Sequence, residues 1–168
     1  MTLSGNNVYE NTPEEDTQRD KYLVFSLGSQ DYGIEIQYVT EIIGIQPIAG
    51  IPDLPEYIKG IINLRGTMIP VMDVRVRFRM EPLPYHDRTC VIVINIMDEV
   101  LGLIVESVSE VLTILPGDTV PAPDITAGGG FVTRIGKTVQ GVKLLLDCGR
   151  LLRDAELEIS GGSRQPNE

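Results

Sequence analysis

Few residues in this chain are of types that do chemistry, and their spacing argues against most of the chemistry they could do. The run Gly130-Phe131-Val132-Thr133-Arg134-Ile135-Gly136-Lys137-Thr138 ends in Gly-Lys-Thr, the ending of a phosphate-wrapping loop. Such a loop needs a glycine where Phe131 stands, and a helix after Thr138 to aim backbone amides at the anion. The next residues, Val139-Gln140-Gly141-Val142-Lys143-Leu144-Leu145-Leu146, are expected to be a strand, so the stretch reads as a β-hairpin with Gly136-Lys137 near its tip. His86 is the single histidine and sits in a polar loop, Pro84-Tyr85-His86-Asp87-Arg88, beside neither a serine nor a cysteine. A nucleophile would need a base held by a third group, and none is spaced for it. Cys90 and Cys148 lie far apart in apolar runs without metal-ligand spacing, and read as two buried thiols of a reducing compartment. Glu35, Glu41, Glu106 and Glu110 could supply a carboxylate pair, but Glu41 and Glu110 are equivalent positions of a repeat rather than neighbours. No enzyme activity, cofactor or metal is expected.

Two sets of arginines remain. Arg65 stands alone at a turn between two apolar strands, beside Asn63, where a rigid scaffold would present one planar donor. Arg75, Arg77 and Arg79 alternate with Val74, Val76, Phe78 and Met80. On a strand they would form one basic face; on a helix Arg75 and Arg79 would share a side. A solvated face is the expectation.

The elements that must position these residues come in pairs. Residues 22–43 lie without a gap on 91–112, setting Val24 over Val93, Gly33 over Gly102, Val39 over Val108 and Glu41 over Glu110. Residues 57–78 lie likewise on 131–152, setting Tyr57 over Phe131 and Asp73 over Asp147. Hairpins are expected across Gly28-Ser29-Gln30-Asp31, with strands over 22–27 and 32–38, and across Met97-Asp98-Glu99, with strands over 91–96 and 100–105. The continuous apolar run 91–96 implies a strand covered on both faces, a barrel wall shared between two cores. Residues 39–43 are open between a helical turn and a strand end. A third hairpin turns at Leu64-Arg65-Gly66, flanked by Asn63 and Gly66 as turns prefer. Pro47, Pro52 and Pro55 punctuate a loop whose isoleucines need cover. Many short strands with frequent turns indicate an all-β barrel class.

At 168 residues with net charge −10, the chain is one domain by length, and folding hides roughly 70% of the surface of a chain this size. The charge is concentrated at the ends: residues 1–20 hold five acids against Arg19, and residues 154–168 four against Arg164. Residues 1–19 and 154–168 are expected to be mostly disordered acidic tails around a domain at 20–153, and Gly128-Gly129-Gly130 the least ordered part of the core. Acidic ends repel polyanions, which argues against nucleic acid or an anionic membrane surface as partner. No apolar run approaches the ~20 residues needed to span a bilayer, so no membrane insertion is expected.

With Gly60-Ile61-Ile62-Asn63-Leu64-Arg65-Gly66 and Ile69-Pro70-Val71-Met72-Asp73 in view, the chain resembles the CheW-like family of bacterial chemotaxis coupling proteins. The opening YLVFSLGSQDYGIEI, the segments Val39–Ile42 and Val105–Leu112, and the closing LLLDCGRLL belong to the match, which covers about residues 20–153. The module also occurs in the kinase CheA and the hybrid adaptor CheV, but the stand-alone form fits this length. The resemblance implies two packed five-stranded SH3-like β-barrels with short helical turns and a third apolar core between them. It implies a non-catalytic cytoplasmic adaptor, recruited to membrane-associated arrays, that binds the regulatory domain of CheA and the cytoplasmic tip of methyl-accepting chemoreceptors. An adaptor of a parallel system for surface motility or biofilm behaviour stays open, and a nucleotide-binding or catalytic barrel is the rival from another class. The family's receptor surface, in the groove between the barrels, maps to Val39, Glu41, Arg65, Val108 and Val111, with Gly60, Asn63 and Gly66 shaping its surroundings. Ile45, Ile48 and Ile51, on the exposed loop, are the kinase-binding candidates. Cys148-Gly149 and the acidic N-terminal segment depart from the family pattern, and neither touches the mapped groove.

Overall fold

Eleven strands and a few short helical turns build the region that the computed structural model describes, residues 18–123 and 130–153. The expected tails at 1–17 and 154–168, and most of the glycine run, lie outside the described residues. The strands are β1 (Lys21–Leu27), β2 (Gln30–Glu35), β3 (Val39–Gly44), β4 (Ile58–Leu64), β5 (Thr67–Asp73), β6 (Cys90–Ile96), β7 (Glu99–Val105), β8 (Ser107–Thr113), β9 (Thr119–Pro121), β10 (Val132–Thr138) and β11 (Gly141–Leu146). The strand expected over 32–38 stops at Glu35, and a 3-10 turn, Ile36–Tyr38, carries the chain into β3. Residues 39–43, open in the sequence, are therefore strand. Gly136-Lys137-Thr138 lies within β10, paired antiparallel to β11, and no helix succeeds it.

The strands form two packed SH3-like barrels. Barrel 1 has the order β3-β6-β7-β5-β4, and barrel 2 the order β8-β1-β2-β11-β10-β9. The sixth strand, β9, is three residues long, and its counterpart in barrel 1 is a single bridge between Ala49 and Ile61. Neither barrel is built from one sequence unit. The hairpin β1–β2 of the first unit completes the barrel of the second, and the hairpin β6–β7 completes the barrel of the first. The ladders match residue for residue under the repeat: Leu145 lies beside Gly33 as Val71 lies beside Gly102, both in parallel pairs. The amide of Asp73 donates to Tyr57 O (2.8 Å) as that of Asp147 donates to Phe131 O (2.9 Å).

Two apolar clusters result, one inside barrel 1 and one shared between the barrels. Strand β6 shows why its run is continuous: Val91 and Val93 face barrel 1's own core, while Ile92 and Ile94 face a central core supplied by both barrels. That central core holds a chain of aromatic rings, Phe25–Tyr32–Phe78–Phe131, with centroids 5.7, 5.5 and 6.0 Å apart. The expected basic face is not formed. Asp73 caps a single helical turn, α1 (Val74–Arg77), by accepting from Val76 N–H; rotation within that turn separates Arg75 from Arg77, and Arg79 lies past its end at positive φ (63°). Arg75 pairs with Glu106. The Arg77 guanidinium stands 4.4 Å from the Tyr57 ring centroid and 4.5 Å from that of Phe131, between two rings that the repeat makes equivalent. Only Arg79 is exposed. No helix among the described residues is long and apolar enough to cross a membrane.

Candidate partner-binding surface

Strands β3 and β8 are repeat equivalents, and each is the edge of its sheet. Each carries one extra residue: the register slips at Thr40 against β6 and at Ser109 against β1. The hydroxyls of these two residues close the bulges, Thr40 Oγ1 donating to Val93 O (3.1 Å) and Ser109 Oγ to Val24 O (3.2 Å). A bulge re-aims the side chains beyond it. Here it puts Val39 and Ile42 on one face, opposite Ile94 and Ile92, and Val108 and Val111 on one face, opposite Phe25 and Leu23. All four opposing residues belong to the central core. Val39 and Val108 are half-buried against its rim, whereas Ile42 and Val111 remain 42% and 49% exposed.

Glu41 falls on the opposite face of β3, across from Val93 and toward barrel 1, where it meets Arg65. The β4–β5 hairpin closes through Arg65-Gly66, both at positive φ (52° and 89°), with Leu64 paired to Thr67. This is the backbone of a two-residue turn whose twist suits a hairpin. Asn63 Oδ1 accepts from Gly66 N–H at 2.8 Å and fixes the turn. Arg65 is thereby held at the tip and pairs with the Glu41 carboxylate, while 70% of its side chain stays in solvent. Gly60 has φ +147°, and a Cβ there would stand 2.2 Å from Ala49 O, so the close packing expected of it is against the proline-rich loop.

The kinase-binding candidates separate. Ile45 and Ile48 are half-buried against barrel 1's core, because apolar loop residues cover the barrel's open edge; that corrects the expectation of an exposed set. Ile51, 43% exposed, is the one left available. Ile42 is the residue that sequence reading missed. Its signal was the repeat itself, which lays Ile42 on Val111.

The remaining reactive groups are occupied. Burial pushes the Cys148 thiol up to about 12, with Glu35 and Asp147 adding to the effect, so the thiolate nucleophile is scarce at neutral pH. Cys90 is only half-buried, contrary to expectation, because it opens the edge of β6; its thiol donates to Arg88 O at 3.2 Å. A small cleft of about 20 Å³, no more than water-sized, lies beside the loop carrying Tyr85 and His86. The Tyr85 hydroxyl donates to Asp73 at 2.8 Å, and desolvation raises its pKa further above the ordinary tyrosine value. His86 accepts from Arg88 N–H through Nδ1 (3.0 Å) and is half in solvent.

Comparison with known proteins agrees with this architecture. The family model described as CheW-like domain matches residues 21–156. The chemotaxis protein CheW of Klebsiella aerogenes is 35% identical over 146 residues, covering 86% of this chain and 88% of the relative. That of Treponema pallidum is 32% identical over 142 residues, covering 81% and 84%. Among solved structures, the scaffolding protein TtCheW from Thermoanaerobacter tengcongensis superposes with a TM-score of 0.72 at 36% identity, over 76% of this chain and 88% of that one.

Proposed function

Because this chain belongs to the CheW-like domain family, we propose that it is a non-catalytic cytoplasmic adaptor that couples methyl-accepting chemoreceptors to the histidine kinase CheA within membrane-associated arrays. The observation that carries this reading is the pair of edge strands flanking the central core, each leaving an apolar residue, Ile42 and Val111, open to solvent beside a half-buried valine. A receptor tip is a helical hairpin, and helices dock by laying apolar anchors on such surfaces while polar groups fix the register. Val39, Ile42, Val108 and Val111 supply the anchors, and Arg65, braced by Glu41, supplies the orienting charge. Asn63 and Gly66 hold Arg65 in place through the turn. For the kinase, Ile51 is the candidate contact. Such an adaptor transmits signal by making different contacts in the two states of the complex it joins.

The test is CheA autophosphorylation with receptor fragments, with and without this protein, alongside Arg65→Glu. The reading requires that receptor control of the kinase appear only with all three components and be lost with the variant. An unchanged response with Arg65→Glu would remove the groove assignment. No effect of the wild-type protein on a cognate kinase would remove the coupling role.

A further inference from the structure

The two sides of the groove are alike in their apolar residues and unlike in their charges. The repeat carries Val39 onto Val108, Ile42 onto Val111 and Glu41 onto Glu110. Glu110 lies opposite Val24 on the barrel 2 side of β8, as Glu41 lies opposite Val93 on the barrel 1 side of β3. Both glutamates are half-buried. Glu41 has Arg65, at the tip of β4–β5, for its counter-charge. At the corresponding place in the tip of β10–β11 the repeat puts Val139, which is fully exposed and carries no charge.

No other cation among the described residues takes that place, and Glu110 makes no ion pair with any of them. Lys143, buried in barrel 2, is held by Asp31, its Nζ 2.7 Å from Oδ2. Arg134 donates through Nε to Thr119 Oγ1 (2.8 Å) and through Nη2 to Thr119 O (3.3 Å). Lys137 follows Gly136 in β10; a Cβ on Gly136 would meet Ile114 and Leu145 inside barrel 2, so the lysine side chain leaves from the opposite face. Glu110 is therefore a carboxylate without a counter-charge on the same strand as Val108 and Val111. In the free protein its exposed side meets water. A molecule laid over those two valines strips part of that water, and a desolvated carboxylate left unpaired is costly.

We propose that the docked molecule supplies the missing cation: a lysine or arginine of the receptor tip reaches over the edge of β8 to Glu110, and does there from outside what Arg65 does for Glu41 from within the chain. This rests on the reading of the groove as the receptor surface and adds to it the chemistry of the partner. On the β3 side the exposed guanidinium of Arg65 keeps donors free for an acceptor. On the β8 side Glu110 requires a positively charged donor. The receptor hairpin therefore docks in one direction, acceptor toward barrel 1 and base toward barrel 2. Turned round, it would set its acceptor against the Glu110 carboxylate, a repulsive contact that rejects that placement.

The test is calorimetric titration of the full chain with a receptor-tip fragment, comparing wild type with Glu110→Gln and Glu110→Lys. Glutamine keeps the size and polarity of the side chain, so Glu110→Gln should melt with wild type. It should weaken binding by roughly tenfold, the loss of one charge-assisted contact, and Glu110→Lys should weaken it further. Added salt should weaken wild type more steeply than Glu110→Gln. Changing each lysine and arginine of the fragment to glutamine should then find one whose loss is felt by wild type and not by Glu110→Gln, the mark of a direct pair in a double-mutant cycle. Equal affinity of Glu110→Gln and wild type overturns the proposal. So does a weakened Glu110→Gln to which no basic residue of the fragment is coupled, since Glu110 would then only support β8. A wild type that binds no receptor tip removes the receptor reading itself, and this contact falls with it.

Discussion

Exchanging the charges of Arg65 and Glu41 separates what Arg65 does for the fold from what it does for a partner. Arg65→Glu removes an ion pair whose arginine is 70% exposed, and pairs so exposed contribute under about 1 kcal/mol. The new Glu–Glu repulsion is screened in the same solvent and is of similar size. In a chain of this length about 1 kcal/mol moves the melting temperature by about 2–4 °C, so the variant should melt within a few degrees of wild type. A guanidinium that becomes buried against a receptor is in a different position, since anchoring contacts of this kind cost about 2 kcal/mol or more when lost. At about 1.4 kcal/mol per tenfold, Arg65→Glu should weaken receptor binding by roughly 30-fold. The double variant Glu41→Arg/Arg65→Glu rebuilds the pair with reversed polarity and should recover the melting temperature. If Arg65 itself meets the receptor, the double variant should stay as weak as the single one. Calorimetric titration with a receptor-tip fragment, run beside thermal melts, reads both quantities. Recovery of wild-type affinity by the double variant would show that the pair, not the guanidinium, is what the receptor needs, and would refute the reasoning.

Three further outcomes rest on the same geometry. The Lys143 ammonium, by its hydrogen bond, holds the Asp31 carboxyl below its ordinary value, outweighing the opposing effect of burial; the folded-state pKa then lies below the unfolded one, so the pair's stabilisation is complete above about pH 4 and is lost as pH falls through the lowered value. Asp31→Asn should flatten that acid limb in urea titrations, and an unchanged limb would count against the pair. Gly102→Ala puts a Cβ 2.8 Å from Val91 Cγ1 and 2.9 Å from Val71 Cγ1, an overpacking worth about 1–3 kcal/mol; Gly117→Ala, with open space around it, should melt near wild type. In the native protein Cys90 should react with an alkylating reagent well before Cys148, whose thiol is buried and raised to about 12, and equal rates by mass spectrometry would contradict the burial.

The repeat was legible because strands that face two cores advertise both faces: the apolar run of β6 and the superposition of Gly33 on Gly102 give the barrel class and the equivalent edges directly. The exchange of hairpins was not, since the likeness of the two units hides which barrel each hairpin joins; the short links at Ile36–Tyr38 and Glu106, which carry the chain from one barrel straight into the other, show it only in the fold. The arginines after β5 misled because alternation with apolar residues suits a strand, whereas the Asp73 cap starts a helical turn and one guanidinium finds aromatic faces instead of water. Ile45 and Ile48 looked exposed because proline marks a loop, yet the loop folds down as the cover of barrel 1. Val39, Val108 and Val111 lie on edge strands, but a bulge cannot be read from a pattern of half-buried positions, so the shared face of Val39 with Ile42, and of Val108 with Val111, became visible only in the fold.

The exchange also decides what cutting the chain would do. The units are joined covalently through the loop between Arg79 and Arg88, but four ladders cross between them: β1 with β8, β2 with β11, β3 with β6, and β5 with β7. A protease nick in that loop would leave two peptides, each with strands in both barrels, and neither barrel would leave with either peptide. The nicked molecule would travel as one particle until denatured. This makes the loop a natural place to divide the gene into two halves that must find each other to regain the shape of the whole.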